Sequence, residues 1–249
     1  MFSRDYKNGD ILICYGKLVP GAINGYSSVI LEPIYYSSED IKKIKLRNGK
    51  VFAYISLGEV SKDAPHYAFL KDDTLGKNEL WNSYYLNLKS EKTITILSNI
   101  IDNLFTSGYD GLFLDNVDNF TVFGPQKDQK NELVNLIKFI RTNYPDKQLI
   151  QNAGLEIISE TCFYISAIVI ESVASNYNLN SKKYGLRNRI EFENKILQLN
   201  IINKAYKLPI ILVEYAHTKE LYTSIKKRII PTKYPYFIGY IELQVIPKF

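Results

Sequence analysis

Short, almost continuously apolar runs alternate along the chain with segments whose apolar residues recur at helical spacing. The apolar runs predict strands that are covered on both faces, at residues 11–15, 29–32, 51–56, 111–115, 148–152, 168–171, 210–214 and 235–241. The amphipathic segments predict core-facing helices at residues 38–47, 91–106, 128–143, 187–206 and 219–229. This alternation favours a parallel sheet with crossover helices.

Eight strand–helix units in 249 residues predict an α/β fold, a single (β/α)8 TIM barrel in one domain, residues 1–249. An open doubly wound sheet is the alternative, but it is expected to carry a glycine-rich phosphate loop after its first strand. The sequence Tyr15-Gly16-Lys17-Leu18 is not such a loop. A longer loop, residues 59–90, follows the third strand, and we expect it to form a lid or one wall of a cleft.

Polar residues stand where the predicted strands end, and most of them are acids. Catalytic residues of such barrels come from the C-terminal ends of the strands, so these positions form the candidate site. Because the chain has a net charge of +5, an acidic rim departs from chance placement. It indicates a cationic or polyhydroxyl ligand, or a hard metal ion. The eight residues are Tyr15, Glu32, Glu59 just after its strand, Asp115, Asn152, Glu171, Glu214 and Glu242.

Asp115 and Glu171 are the pair best suited to chemistry. They end the fourth and sixth predicted strands, and side chains from alternate strands share a layer of a barrel. Two carboxylates across a scissile bond are what glycoside hydrolysis needs. The apolar run 167–170 favours the protonated form of Glu171 by desolvation, whereas Asn116 and Asn152 offer hydrogen-bond donors that favour ionised Asp115.

The acids also have ordinary structural explanations, which the sequence leaves open. Asp115 or Asp118 could cap the helix that follows. Glu171 could simply end a strand, and Glu32 with the proline after it could form a turn. Glu59 could form an ion pair with a lysine of the same loop.

Two motifs resemble those of a known family. Residues 108–118, GYDGLFLDNVD, are similar to the GFDGvFLDNvD motif of the endo-α-1,4-polygalactosaminidases, glycoside hydrolase family 114, and their uncharacterised relatives. Residues 53–59, AYISLGE, are similar to that family's AYISvGE segment after the third strand. Leu80-Trp81 resembles the tryptophan-bearing loop that follows, and residues 151–154 and 170–172 fall at the family's fifth and sixth strand ends. The resemblance runs from about residue 11 to residue 241.

This resemblance implies a (β/α)8 barrel that hydrolyses α-1,4-linked galactosamine or N-acetylgalactosamine polymers. It implies a retaining, endo-acting reaction with Asp115 as nucleophile and Glu171 as acid/base. No cofactor and no metal are expected. Tyr84 and Tyr85, together with Tyr15 and Trp81, are suited to stacking on sugar faces. The predicted substrate-binding residues are Tyr15, Glu32, Glu59, Trp81, Asn116, Asp118, Asn152, Glu214 and Glu242.

Two other functions stay open from the sequence. A glycan-binding barrel without turnover would keep the same residues. A metal-dependent hydrolase would use the acidic rim as oxygen ligands, although only two histidines in the chain argue against zinc.

The expected partner is a poly- or oligosaccharide, including cationic amino sugars. The lysines form no basic stripe of a nucleic-acid-binding module, and no apolar run reaches the ~20 residues that span a bilayer. Residues 1–16 lack the apolar region of a signal peptide. We therefore expect a protein that is cytoplasmic, or secreted with its leader already removed. The oligomeric state is left open.

Overall fold

A computed structural model of the protein describes residues 10–249. The first nine residues, on which part of the leader expectation rests, lie outside the described residues. The described chain forms two compact units, residues 10–53 with 166–249, and residues 54–165. The organisation as one domain over residues 1–249 stays a prediction.

Thirteen strands occur in residues 10–249. Eight of them form one sheet of parallel strands, in the order β1-β2-β3-β7-β8-β9-β12-β13, and this confirms the predicted α/β barrel. The first and last strands of the sheet, β1 and β13, lie side by side. The strands are β1 Ile11–Cys14, β2 Ser28–Leu31, β3 Lys50–Ser56, β4 Glu59–Ser61, β5 Thr74–Asn78, β6 Ser83–Leu86, β7 Gly111–Asp115, β8 Gln148–Asn152, β9 Ala167–Glu171, β10 Ser175–Asn178, β11 Lys183–Leu186, β12 Ile210–Tyr215 and β13 Tyr236–Gly239.

The sheet strands are buried along nearly their whole length, as their continuous apolar sequences predict. Every residue of β1, β2, β12 and β13 is buried. In β7 and β9 only the last residue, Asp115 and Glu171 respectively, keeps partial exposure. The two acids therefore stand where the apolar core gives way to solvent.

Seven α-helices lie in the described part of the chain. The five predicted helices are present, and two short ones, α2 and α5, were not predicted. The helices are α1 Ser38–Lys45, α2 Tyr67–Leu70, α3 Glu91–Thr106, α4 Lys130–Asn143, α5 Ile158–Thr161, α6 Arg189–Tyr206 and α7 Lys219–Ile229.

Side-chain caps explain where several helices begin. Ser90 accepts the backbone N–H of Thr93 at the start of α3, and Asn188 accepts that of Glu191 at the start of α6. Because a capping residue stands outside the helix, α6 begins at Arg189, two residues later than predicted. The predicted core-facing stripe of this helix is wrong in part, since Leu199 is buried but Ile190 and Leu197 are exposed.

Two insertions on the barrel differ from the sequence prediction. The long loop after β3 contains an antiparallel sheet in the order β4-β6-β5, and a second antiparallel pair, β10 and β11, follows β9. In contrast, β1 is followed by a single 3-10 turn, Pro20–Ala22, and no α-helix follows β13 within the described residues. Of the eight predicted strand–helix units, all eight strands are present, but in the described residues not every strand is followed by an α-helix.

Candidate active site

Asp115 ends β7, and each of its carboxylate oxygens accepts a hydrogen bond. The Tyr54 hydroxyl donates to Oδ2 at 2.7 Å, and the Asn152 side-chain amide donates to Oδ1 at 2.8 Å. Tyr54 lies on β3 and Asn152 ends β8, so the two flanking strands fix the plane of the carboxylate. Of the two asparagines expected to donate to Asp115, Asn152 does so.

Asn116, directly after Asp115, has a left-handed backbone with φ of 57°. Asparagine adopts this conformation more readily than most residues with a Cβ. The Ser56 hydroxyl donates to Asn116 Oδ1 at 2.6 Å. A Cβ added to Gly58 would stand 2.8 Å from the Asn116 carbonyl oxygen. The two motifs of the sequence resemblance, residues 53–59 and 108–118, therefore meet at the turn after Asp115.

Glu59, at the start of β4, is buried with 6% of its surface exposed. Its carboxylate accepts hydrogen bonds from the Ser83 hydroxyl and the Asn78 amide of the inserted sheet. It also accepts the Asn119 amide at 2.8 Å. Neutral donors thus satisfy this carboxylate, and it links the inserted sheet to the loop after β7.

Asp118 lies in the same loop with its side chain exposed. Desolvation by neighbouring protein atoms raises the pKa of this carboxyl, and the charges of Asp115 and Glu59 raise it further. The alternative in which Asp115 or Asp118 caps the following helix is wrong, because α4 begins only at Lys130, after Gln129.

Glu171 ends β9, and its Oε2 accepts a hydrogen bond from the Tyr215 hydroxyl at the end of β12. Ser172, the next residue, repeats the left-handed backbone with φ of 53°. The Arg187 guanidinium donates to the Ser172 carbonyl oxygen, from Nη2 at 2.9 Å. The exit of the chain after Glu171 is therefore held by a charged side chain.

Glu214 precedes Tyr215 on β12 and has no exposed surface. Its carboxylate accepts the backbone N–H groups of Val173, Ala174 and Ser175. Burial raises the pKa of Glu214, and these hydrogen bonds, together with that of the Ser175 hydroxyl, act in the opposite direction. Glu214 was predicted to contact substrate, but none of its surface is exposed in this structure.

The remaining predicted substrate-binding residues occupy separate places. Glu32 precedes the 3-10 turn Pro33–Tyr35, as its structural alternative expected, and burial raises its pKa. Tyr15 follows β1, and its backbone N–H donates to the Leu243 carbonyl oxygen at 2.6 Å. Trp81 is 60% exposed in the turn between β5 and β6. Glu242 is exposed after β13.

Two tyrosines hold the acids, Tyr54 and Tyr215, and neither was among the predicted site residues. Tyr54 is two residues before Ser56 on β3, so both side chains leave the same face of the strand, and both are partly buried while Ile55 between them is buried. The polar residues at alternate positions near the end of this strand are a signal that could have been recognised in the sequence. Tyr215 was placed just beyond its strand, which extends one residue further than predicted.

The family model of glycoside-hydrolase family GH114 matches residues 30–234 of the chain. The chain belongs to glycoside-hydrolase family GH114. Membership in GH114 makes it a glycosidase and confirms the family inferred from the two motifs. No curated protein sequence matches this GH114 chain.

Solved structures show the same fold at low sequence identity. The glycoside hydrolase domain of PelA from Pseudomonas aeruginosa is 23% identical, with a TM-score of 0.84 over 96% of this GH114 chain and 97% of that one. Ega3 of Aspergillus fumigatus, solved in complex with galactosamine, is 14% identical, with a TM-score of 0.74 over 96% and 93%. The α-galactosidase TtGalA from Thermus thermophilus, in complex with p-nitrophenyl α-D-galactopyranoside, is 10% identical, with a TM-score of 0.63 over 96% and 58%.

The described residues of this GH114 chain contain no group of three or more His, Cys, Asp or Glu arranged to hold a metal ion. Within residues 10–249, none of the helices combines the length and the apolar character that crossing a membrane requires.

Proposed function

We propose that this GH114 glycosidase is a retaining, endo-acting enzyme that hydrolyses α-1,4-linked galactosamine or N-acetylgalactosamine polysaccharide. In this proposal Asp115 is the nucleophile and Glu171 is the general acid and base. Each acid ends a parallel strand of the barrel sheet, and catalytic residues of this fold come from that end of the strands.

The observation that carries the proposal is the pair of hydrogen bonds to Asp115. One neutral donor on each oxygen, Tyr54 on Oδ2 and Asn152 on Oδ1, holds the carboxylate in a single orientation. A carboxylate held in one position at the edge of an apolar core is suited to attack on an anomeric carbon.

The reaction proceeds in two balanced steps. First, an oxygen of ionised Asp115 bonds to the anomeric carbon while the glycosidic C–O bond breaks, and protonated Glu171 gives its proton to the departing sugar oxygen. Second, ionised Glu171 takes a proton from water, whose oxygen bonds to the anomeric carbon and displaces Asp115 as a carboxylate. The products are two shorter chains, and the new reducing end keeps its anomeric configuration.

The proposed sugar is supported by residue chemistry and by the relatives. Glu242 and Asp118 are exposed acids that suit the ammonium group of galactosamine. Ega3 was solved with galactosamine and TtGalA with an α-galactoside. We propose that Asn152 acts on Asp115 and not directly on the sugar, since its amide already donates to that carboxylate.

The test is hydrolysis of purified α-1,4-linked galactosamine oligomers and of their N-acetylated forms. Product size reveals whether cleavage is internal, and proton NMR of the first product formed gives its anomeric configuration. We expect internal cleavage and an α product, with Asp115→Asn inactive and still folded by circular dichroism.

Three results would count against this function. A β product would show inversion, and full activity of Asp115→Asn would remove the proposed nucleophile. Activity that a chelator abolishes and added divalent metal restores would favour the metal-dependent alternative.

A further inference from the structure

The buried carboxylate of Glu214 has a role that the proposed reaction leaves unassigned. It accepts four hydrogen bonds, three from consecutive backbone amides and one from the Ser175 hydroxyl at 2.5 Å. A carboxylate without exposed surface is costly to keep in a core. Its donors identify what it does there, since all of them belong to residues 173–175.

These residues are the chain's exit from Glu171. Ser172 lies between them and Glu171 in the left-handed conformation, which a serine adopts only under external constraint. Its N–H donates to the Val213 carbonyl oxygen at 2.8 Å, and its own carbonyl oxygen accepts Arg187. Glu214 therefore binds the amides on one side of the strained residue, while Arg187 binds the carbonyl of the strained residue itself.

The same network reaches the Glu171 carboxylate through Tyr215. The Ser175 hydroxyl oxygen accepts the backbone N–H of Tyr215 at 3.1 Å, and the Tyr215 hydroxyl donates to Glu171 Oε2. Hydrogen bonds and backbone thus form a closed ring from Glu171 through Ser175 and Glu214 to Tyr215 and back. Both the backbone and the carboxylate of Glu171 are tied to Glu214.

We infer that Glu214 is a positioning residue, which fixes the direction of Glu171 through the turn at Ser172 and through Tyr215. This inference rests on the proposed function, in which Glu171 is the acid and base. In this inference Glu214 does not contact the sugar. The positioning role replaces the substrate-binding role that was predicted for this residue from the sequence. Loss of Glu214 should harm proton transfer by Glu171 and spare the attack by Asp115.

Glu214→Gln tests this role because it keeps the size of the side chain and replaces one acceptor oxygen with an NH2 donor, which opposes the backbone amides. Two substrates are compared: an unmodified galactosamine oligomer, and the same oligomer with a 2,4-dinitrophenyl group at the scissile bond. A sugar leaving group needs the proton from Glu171, whereas dinitrophenolate leaves without one.

We expect kcat/KM of Glu214→Gln to fall on the order of 100-fold on the unmodified oligomer. On the dinitrophenyl substrate we expect kcat/KM, which covers the step that breaks the glycosidic bond, to fall less than about 5-fold. Glu193→Gln, the same substitution at an exposed residue of α6, is the control and should match the wild type on both. Equal losses of Glu214→Gln on both substrates would mean general damage to the fold and would overturn the inference.

Ser175→Ala keeps the test decisive if Glu214→Gln does not fold. It removes only one of the four donors to Glu214, and we expect a smaller loss that is again confined to the unmodified oligomer. A Ser175→Ala protein that folds and shows no such selectivity would also overturn the inference. Wild-type protein that cleaves neither substrate would instead count against the proposed function.

Discussion

The turns after Asp115 and after Glu171 both begin with a left-handed residue but are held by different contacts. In both, the residue that follows the acid is left-handed, Asn116 with φ of 57° and Ser172 with φ of 53°. In the first turn the Ser56 hydroxyl donates to the Asn116 side chain, and the Leu57 N–H donates to the Asp115 carbonyl oxygen at 3.1 Å. In the second turn the side chains of Glu214 and Arg187 bind the backbone groups after Glu171.

Both acids are held by side chains of neighbouring strands, and the support differs in what surrounds them. Asp115 has a donor on each oxygen, Tyr54 and Asn152, and in the proposed reaction these donors fix the direction of its attack. Glu171 accepts the Tyr215 hydroxyl, and the buried Glu214 fixes the segment that follows it. The difference teaches that two strand ends of similar sequence can be supported in different ways, one through the side chain of Asn116 and the other through a buried carboxylate that binds the backbone.

The sharpest way to separate the two regions is to neutralise each acid. We expect Asp115→Asn to lose more than about 10⁴-fold in kcat/KM on every substrate, because no covalent intermediate can form. Glu171→Gln should lose about 10²–10⁴-fold with a sugar leaving group and far less in cleavage of a dinitrophenyl glycoside. Steady-state and burst kinetics on the two substrates measure this. Identical profiles of the two variants would remove the distinction between the roles.

Removing one phenol from each region gives a finer comparison. Tyr54→Phe deletes a hydrogen bond to a charged group, worth about 1.5–3 kcal/mol, so we expect a loss of about 10–100-fold in kcat/KM on both substrates. Tyr215→Phe is the matched variant and should lose activity only where the leaving group needs protonation. Circular dichroism and melting curves check that both proteins fold. A larger loss for Tyr215→Phe than for Tyr54→Phe with dinitrophenyl substrates would reverse the assignment.

A single methyl group tests the close contact behind Asp115. Gly58→Ala places a Cβ 2.8 Å from the Asn116 carbonyl oxygen and 2.9 Å from its Cβ, so one of the two segments must move. We expect a loss of about 1–3 kcal/mol in the free energy of unfolding, with lower activity.

Gly185→Ala is the control from the other insertion, because its Cβ would meet only the Asn176 carbonyl oxygen, at 3.8 Å. We expect it to be nearly neutral in urea unfolding. A Gly58→Ala protein as stable and active as the wild type would show that the turn after Asp115 does not depend on this contact.

The smallest expected effect concerns the pH dependence of stability at Asp118. Its pKa is raised in the folded protein, mainly by desolvation and then by Asp115. Between the unfolded pKa near 4 and the raised folded value, the folded state binds more protons, so this stabilising contribution is lost as pH rises.

Asp118→Asn lacks this titration. We therefore expect the variant to gain stability relative to the wild type between pH 4 and pH 7.5, by about 0.5 kcal/mol or less because the side chain is exposed. Urea unfolding at both pH values measures the difference. A relative loss of stability for the variant over this range would give the opposite sign and contradict the raised pKa.

The sequence by itself determined the sheet strands, the five longer helices and the family. Apolar runs such as those of β7 and β9 predict strands that are covered on both faces. The acid that ends each run stands out because the rest of the run has no charged residue. The motifs around Asp115 and Glu59 were equally local, so reading the chain in order was enough to find them.

Only the tertiary structure decided which residues hold the acids and how. Tyr54 is 61 residues before Asp115, and they meet because β3 and β7 are adjacent in the sheet. Glu214 is 39 residues after Ser175, and they meet because the chain leaves β9 beside its neighbour β12. Glu214 and Glu171 carry the same functional group near neighbouring strand ends, and the sequence assigned both to the rim. Burial separates them: Glu214 has no exposed surface and binds the backbone, while Glu171 keeps partial exposure where a substrate can reach it.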